Sequence, residues 1–364
     1  MSQFLGFGDG SDGDLVISAD TTEAPIDSSC SGTADSNSLS ATNASFAAGQ
    51  IVLIHQSSGT GAGTWELNRI ASYSAGIITL ELPLVNTYTD SGADQAQVRV
   101  LKQYSSITIQ SGKTYTAKAW DGNVGGILAF IASGTVTITG SLNLSACGFR
   151  GGAAKTNGGT ATSGEGRLGI GSTSQAANNE GGGGGGNCPG TASEGDPGGG
   201  GGHATAGSNG VAPYDANGQG AGGNTGIDVA ALTTAQFGGG GGGGVNDNIG
   251  GASAGANGGG FCLIITPNFV TTGSINCNGA LATTGVERAQ GGSGAGGSVL
   301  IKSQVATLGT NLITAIGGSG NTYGGNGGDG RIRIEACSIS GSTNPVASTV
   351  EGGLDWCVVG GFVY

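Results

Sequence analysis

The sequence Gly126-Ile-Leu-Ala-Phe-Ile131, followed by Val136-Thr-Ile-Thr-Gly140-Ser-Leu-Asn-Leu-Ser145, recurs along the chain and decides the fold. Its second copy is Gly260-Phe-Cys-Leu-Ile-Ile265, followed by Val270-Thr-Thr-Gly273-Ser-Ile-Asn-Cys-Asn278. A third copy begins at Gly297, and a partial fourth begins at Gly330. Each copy is a pair of short apolar strands with a marker glycine in or after the second strand: Gly140, Gly273, Gly309 and Gly341.

The spacing of these copies predicts a short β-solenoid-like array. The last two steps between marker glycines are 36 and 32 residues, within the range of about 20–50 residues that stacked repeats use. One such unit cannot bury its apolar strands alone, whereas stacked units share a continuous core. We therefore expect an all-β fold with first rungs at 105–147, further rungs at 261–345 and a C-terminal strand or tail at 346–364.

The segment 1–104 predicts a separate small β-barrel or sandwich. Its strand candidates are short, β-branched and separated by Gly, Ser and Asn turns; they are Gln50–His55, Trp65–Ile70, Gly76–Leu82 and Gln97–Leu101. The side chains expected in its core are Trp65, Leu67, Leu80 and Leu82.

Glycine-dense segments separate the repeats, at 148–260, 279–297 and 317–330. Because each occupies the same place in its repeat, we expect all three to emerge on one side of the array. The segment 148–260 holds 42 of the 81 glycines, a composition that is also typical of flexible linkers. A linker connects domains, however, and this segment starts and ends inside one array. We expect an ordered insertion lobe of extended, polyproline II-like glycine helices.

The glycine runs at 181–186, 198–202 and 238–244 give this region a resemblance to glycine-rich tail-fibre tip adhesins of T-even-like phages. That resemblance implies a polyglycine II sandwich that carries recognition loops. The fore part, with Gly6-Phe-Gly-Asp-Gly-Ser-Asp-Gly13, resembles uncharacterised glycine-rich bacterial and phage surface proteins. Polyglycine packing also occurs in springtail antifreeze proteins, so ice binding is a third hypothesis. Architecture alone does not fix function.

The expected function is therefore host attachment by a non-enzymatic virion surface protein, a tail-fibre or tip adhesin of a bacteriophage. Its expected partners are a bacterial surface protein or glycan and other virion fibre proteins, with homo-oligomers as a further expectation. The alternative is a structural subunit of an extracellular filament or surface layer. The N-terminus lacks a signal-peptide pattern, so we expect synthesis in the host cytoplasm and release by lysis.

Composition and charge exclude several classes. The net charge is −12 with only 12 Lys and Arg, so there is no basic stripe for nucleic acid. No apolar run approaches the ~20 residues of a membrane helix, and we expect no membrane insertion. The seven cysteines form no C-x-x-C pair, and most are interpreted as small buried hydrophobes: Cys30, Cys147, Cys188, Cys262, Cys277, Cys337 and Cys357.

Motifs for chemistry are sparse, and we expect no catalytic residue, cofactor or metal. Asp9, Asp12 and Asp14 could offer oxygen ligands to calcium, although a solvated turn is favoured because the EF-hand pattern fails. His55 lies in an apolar strand and is interpreted as a satisfied core residue. The carboxylates that could pair as in polysaccharide hydrolases, although no spacing demands it, are Asp121, Glu165, Glu180 and Asp329.

Binding needs only loops on a rigid platform. Aromatic and polar residues beside the glycine runs could stack on sugar rings or enter apolar pockets. The candidates for receptor binding are His203, Tyr214, Asp215, Phe237 and Tyr323. For Phe237 and Tyr214 the alternative is that the rings merely fill the glycine layer.

Overall fold

Stacked parallel strands organise the chain, as a computed structural model shows. It describes residues 6–177, 179–188, 195–211, 218–226, 229–246, 251–283, 288–319, 322–352, 354 and 357. Every regular element in this part is a β-strand, so the predicted all-β class is confirmed. The described residues contain no helix with the length and hydropathy needed to span a bilayer.

The strands in the first part of the chain are β1 (Asp14–Ile17), β2 (Thr21–Thr22), β3 (Asp27–Ser29), β4 (Ser38–Ser40), β5 (Ile51–Ser58), β6 (Trp65–Ser74), β7 (Ile77–Leu80), β8 (Gln95–Tyr104), β9 (Ser106–Ile109) and β10 (Thr114–Thr116). The later strands are β11 (Ile127–Ala132), β12 (Thr135–Ile138), β13 (Ser141–Asn143), β14 (Lys155–Thr156), β15 (Gly159–Thr160), β16 (Asn187–Cys188), β17 (Val245–Asn246), β18 (Phe261–Thr271), β19 (Ser274–Asn276), β20 (Ser298–Thr314), β21 (Arg331–Asn344) and β22 (Ser348–Glu351).

The repeats stack in the order that the sequence predicts. Ile127 of β11 pairs with Phe261 of β18, which pairs with Ser298 of β20, and Ser298 pairs with Arg331 of β21. All of these ladders are parallel, and β22 closes the stack on β21. Marker glycines also stack, because a Cβ at Gly273 would overlap with the carbonyl oxygen of Gly140.

The interior of the rungs is one narrow apolar core. Side chains on the inward face of each strand are buried, as the period of two predicts; they include Ile107, Val136, Ile264, Val299, Ile301 and Ile334. Cys147, Cys262 and Cys277 lie in the same core, and burial raises the pKa of the Cys147 thiol to about 11.

Five cysteines are buried and form no disulfide, which confirms their interpretation as small hydrophobes. Cys337 of β21 and Cys357 are different, because they form a disulfide with Cα atoms 5.3 Å apart. These two are the exceptions to the interpretation that most of the cysteines are small buried hydrophobes. Their separation of 20 residues matches no recognisable spacing pattern, so the sequence carried no signal of the bond.

The antiparallel part of the fold is a sheet with strand order β3-β8-β5-β6-β7-β4. Leu80 packs in its core, whereas Trp65 and Leu67 face a second core shared with the rungs. The expected burial of Leu82 is wrong: it is 41% exposed, because β7 ends at Leu80. The earliest strands, β1 and β2, pair in parallel with β9 and β10 and thus lie with the rungs.

The glycine segments between the rungs bond to one another and form one lobe. Its centre is the run 238–244, in which each backbone N–H and each C=O makes a hydrogen bond. Successive N–H groups donate in rotation to three neighbouring segments: 251–260, 195–203 and 160–166. Successive C=O groups accept in rotation from three others: 148–156, 288–297 and 181–188.

This rotation returns to the same neighbour every third residue. Gly238, Gly241 and Gly244 donate to the carbonyl oxygens of Gly259, Ala256 and Ser253 over 2.9 Å each. Three residues per turn is the period of the polyproline II helix, which makes no hydrogen bonds within itself. The central run therefore has six bonded neighbours, where a β-strand has two.

Such close neighbours require the absence of Cβ atoms. A Cβ built on Gly240, Gly241 or Gly242 would overlap with the carbonyl oxygen of Arg150, Gly292 or Gly184, respectively. Each of these atoms is backbone, so it cannot move aside as a flexible side chain can. The glycine content is thus a packing requirement of the lobe.

His55 joins the antiparallel sheet to the lobe. Its Nε2 lies 2.8 Å from the carbonyl oxygen of Ala235, which can only accept, so Nε2 carries the proton. Its Nδ1 then accepts from the hydroxyl of Ser57 over 2.9 Å. The ring is buried and stacks on Phe237 with centroids 5.5 Å apart. The interpretation of His55 as a satisfied core residue is confirmed.

We predict that Gly241→Ala unfolds the lobe at lower denaturant than Gly251→Ala. The first change drives a methyl group into backbone, and we expect a loss of about 2 kcal/mol or more. Gly251 lies in the same lobe with nothing within 4 Å of a built Cβ, so its variant is the matched control. Urea unfolding measures both, and equal midpoints for the two variants would contradict the packing requirement.

The burial of His55 predicts a pH dependence of stability. Burial lowers the pKa of His55 to about 4, from an ordinary value near 6.5. Between these values the unfolded chain binds the proton more readily, so stability is complete above about pH 6.5 and is lost as the pH falls toward 4. Urea midpoints from pH 7 to pH 4 should therefore fall more steeply for the native chain than for His55→Gln; parallel curves would contradict this.

Candidate recognition surface

Several described segments of the lobe meet at the end farthest from the rungs, called here the loop end. Val245 pairs with Lys155 and forms a bridge with Asp196. The N–H of Gly198 donates to the carbonyl oxygen of Gln290, and that of Asn187 to the carbonyl oxygen of Gly218. The opposite end of the lobe bonds to the rungs, for instance through the N–H of Phe261 and the carbonyl oxygen of Gly126.

The length of the central run sets the distance between these ends. At about 3.1 Å per residue, the run 238–244 holds the loop end about 20 Å from the rungs. Because all of its backbone groups are bonded, this spacing is fixed by hydrogen bonds on every side. The lobe thus acts as a rigid support for the residues at its loop end.

Tyr323 is the sequence-predicted site residue that the structure places at the loop end. Its backbone N–H donates to the Gln290 side-chain oxygen over 2.9 Å, and its carbonyl oxygen accepts from Val211 over 2.7 Å. The side chain is half-buried, and Thr322 and Val211 beside it are exposed. An aromatic ring on a fixed backbone next to polar and apolar surface can stack on a ligand ring.

His203 and Phe237 do not lie on this surface. His203 is 1% exposed, and its Nδ1 lies 2.6 Å from the carbonyl oxygen of Gly296, at the rung end. Phe237 is 2% exposed and packs edge-on to Phe149, with ring centroids 5.3 Å apart. The burial of His203 does not suit a residue that contacts a receptor, and Phe237 fills the glycine layer, which is the alternative stated for it above. Phe237 comes directly before the run 238–244, and His203 comes directly after the run 198–202. Both are buried because these ends of the two runs meet the rungs.

Tyr214 and Asp215 lie outside the described residues. The residues before and after them, Val211 and Gly218, belong to the loop end through their bonds to Tyr323 and Asn187. A role for Tyr214 and Asp215 in receptor binding therefore stays a prediction.

Sequence reasoning missed several polar residues along one side of the lobe. Thr205, Ser208, Asn209 and Asn326 are exposed, and the Ser208 hydroxyl accepts from the backbone N–H of Asn326. They come from two segments that are far apart in the chain. A three-residue period in the hydrophilic positions is the signal that could have located Thr205 and Ser208.

The four candidate carboxylates serve the fold. Glu165 is buried, and its oxygens accept from Trp120 Nε1 and from the backbone and guanidinium of Arg150. The Asp121 carboxylate accepts from the backbone N–H groups of Asn123 and Val124. Glu180 pairs with Arg167, and Asp329 accepts from the N–H of Gly317.

Each of the three N-terminal carboxylates bonds to partners of its own. Asp9 accepts from the N–H of Ser11, Asp12 pairs with Lys102, and Asp14 accepts from the hydroxyls of Ser105 and Ser106. All three are exposed. Within the described ranges, no three His, Cys, Asp or Glu side chains gather as a metal-binding group.

Comparison with known proteins gives a distant likeness to phage tailspikes. No family model and no curated protein matches the chain. The Gp54 tailspike of Acinetobacter baumannii bacteriophage AP22, solved with A. baumannii capsular saccharide, is 10% identical with a TM-score of 0.20; the match covers 91% of this chain and 60% of that one. Tailspike gp49 from Pseudomonas phage LKA1 is 12% identical with a TM-score of 0.21, covering 93% and 67%. Likeness at this level carries no argument about fold or function.

We predict that Glu165→Gln lowers the free energy of unfolding by about 1–3 kcal/mol, because a buried acceptor of charge-assisted bonds is lost. Glu81→Gln is the control, since Glu81 forms an exposed pair with Arg69 at 3.7 Å and should change stability by no more than about 0.5 kcal/mol. Denaturant unfolding checks both. A native-like stability of Glu165→Gln would show that this carboxylate is free for another role.

Proposed function

We propose that the chain is a non-enzymatic virion surface protein, a bacteriophage tail-fibre or tip adhesin that recognises a bacterial surface protein or glycan. The observation that carries the proposal is the bonding of the run 238–244 to six neighbours. It supports a rigid lobe whose loop end faces away from the rungs. Rigid support suits recognition, because a preformed surface loses little conformational entropy on binding.

Binding through the loop end gives a role to side chains that are not part of any described hydrophobic core. The rungs and the lobe interior are mostly apolar or glycine, whereas Tyr323, Thr322 and Val211 contribute to no buried core among the described residues. Loops on a fixed scaffold are the usual place for recognition residues. Tyr323 and its neighbours are thus the described part of the proposed contact surface.

The absence of enzymatic activity is part of the proposal. A hydrolytic pair needs one carboxylic acid and one carboxylate facing a substrate. Glu165 is enclosed by Trp120 and Arg150, and Glu180 is paired with Arg167. These bonds support binding without cleavage.

The alternative function, a filament subunit, has one observation in its favour. In the described part of the chain, β1 pairs only with β9 and β22 only with β21, so each leaves one edge unpaired. Open strand edges can pair between copies. Growth of the purified chain into helical fibres, seen by electron microscopy, would favour the filament, whereas a monomer or closed trimer would favour the adhesin.

We predict that Tyr323→Ala weakens binding of the fluorescently labelled chain to susceptible bacteria by about 3- to 10-fold, the range for losing one aromatic contact. Tyr323→Phe keeps the ring and should bind as the native chain does. Equal unfolding midpoints for the three proteins verify that the change acts on the surface. Protease and periodate treatment of the cells distinguishes a protein receptor from a glycan.

Unchanged binding of Tyr323→Ala would remove this residue from the surface. The function itself would be contradicted if the chain bound no susceptible cell and antibodies located it inside the capsid. Labelling at the outer tip of a tail fibre is the expected result.

A further inference from the structure

A polar cleft lies on the antiparallel part of the fold, in elements separate from the lobe. Its volume is about 360 Å³, within the range of roughly 300–1,000 Å³ typical of small-molecule sites. The walls come from the N-terminal turn, the corner before β5, and strands β6 and β8. The lining residues used below are Asp9, Asp12, Gln50, Arg69, Lys102 and Gln103.

Hydrogen bonds hold the turn against β8 and fix the shape of the cleft. The Asp12 carboxylate accepts from the N–H of Gln103 over 2.7 Å and from Lys102 Nζ over 2.8 Å. The Gln103 side-chain oxygen accepts from the N–H of Asp9 over 3.3 Å. Across the cleft, Arg69 Nη1 donates to the carbonyl oxygen of Gly49 over 2.8 Å.

These bonds leave defined groups to face the cleft. Within the described residues, the second carboxylate oxygen of Asp9 and the amide nitrogens of Gln50 and Gln103 have no protein partner. The Ser11 side chain and backbone lower the pKa of Asp9 through hydrogen bonds, and the charge of Arg69 acts in the same direction. The cleft therefore combines an ionised acceptor with two amide donors and a guanidinium.

We propose that this cleft binds one or two sugar rings through their adjacent hydroxyl groups. A sugar hydroxyl both donates and accepts, so a pair of them can donate to Asp9 and accept from Gln50, Gln103 or Arg69. Charge-assisted bonds of this kind are about twice as strong as neutral ones.

The charges around the cleft disfavour other small ligands. Asp9 and Asp12 oppose a phosphate, while Arg69 and Lys102 oppose a metal cation. A neutral ligand rich in hydroxyls meets neither obstacle. The site uses no residue of the loop end, so it stands or fails separately from the proposed recognition surface.

The test uses the full ¹⁵N-labelled chain, titrated with methyl α-D-glucopyranoside, methyl α-D-galactopyranoside and N-acetyl-D-glucosamine. At least one sugar should shift the amide resonances of Ser11, Asp12 and Gln103 saturably, with a millimolar dissociation constant of the order expected for a few hydrogen bonds. Inorganic phosphate and glycine, titrated in parallel, should leave the same resonances in place.

Variants then assign the effect to the cleft. Asp9→Asn keeps an oxygen for the N–H of Ser11 but loses the charge, and it should weaken sugar binding by about 3- to 10-fold. The exposed Asp90→Asn, which lies outside the cleft, should bind the sugar as the native chain does. The proposal is overturned if none of the three sugars shifts these amides up to about 100 mM, if phosphate or glycine shifts them instead, or if Asp9→Asn binds equally well.

Discussion

The backbone hydrogen bonds of the run 238–244 are the constraint on which the rest of the structure depends. A buried peptide group must find a partner, and this run finds partners on six sides because no Cβ separates it from its neighbours. The lobe therefore gains order without side chains to bury. Glycine loses more backbone entropy on folding than other residues, and the density of hydrogen bonds offsets that cost.

Close backbone contact between glycines also occurs where the rungs meet the lobe. The marker glycines Gly140 and Gly273 stack on one another between rungs, and Gly260 and Gly297 stack where the lobe begins. Side chains fill the remaining space: Phe237 packs against Trp120 and Phe149, and His55 bonds to Ala235. This cluster of aromatic rings and the His55 imidazole thus helps to join the antiparallel sheet, the rungs and the lobe.

The rung register followed from the sequence because equivalent glycines and apolar strands recur, as Gly126 and Gly260 show. The burial of His203 did not follow, because local sequence does not reveal which end of a glycine helix meets the rungs. Leu82 was wrongly expected to be buried because the alternation of apolar and polar residues in the sequence continues beyond Leu80, where β7 ends. Tyr323 could be proposed as a site residue because it lies beside glycine runs in the sequence. Its hydrogen bond to Gln290 could not be predicted, because amino-acid composition does not specify which glycine segments pack together.

Hydrogen exchange at the amides of the run 238–244 measures whether this glycine segment is a hydrogen-bonded structural element that supports a surface. Because every N–H of residues 238–244 is bonded to a carbonyl oxygen, we expect exchange as slow as that of the amides in β18. Exchange across this run at the rate of an unstructured peptide, while β18 stays protected, would contradict it.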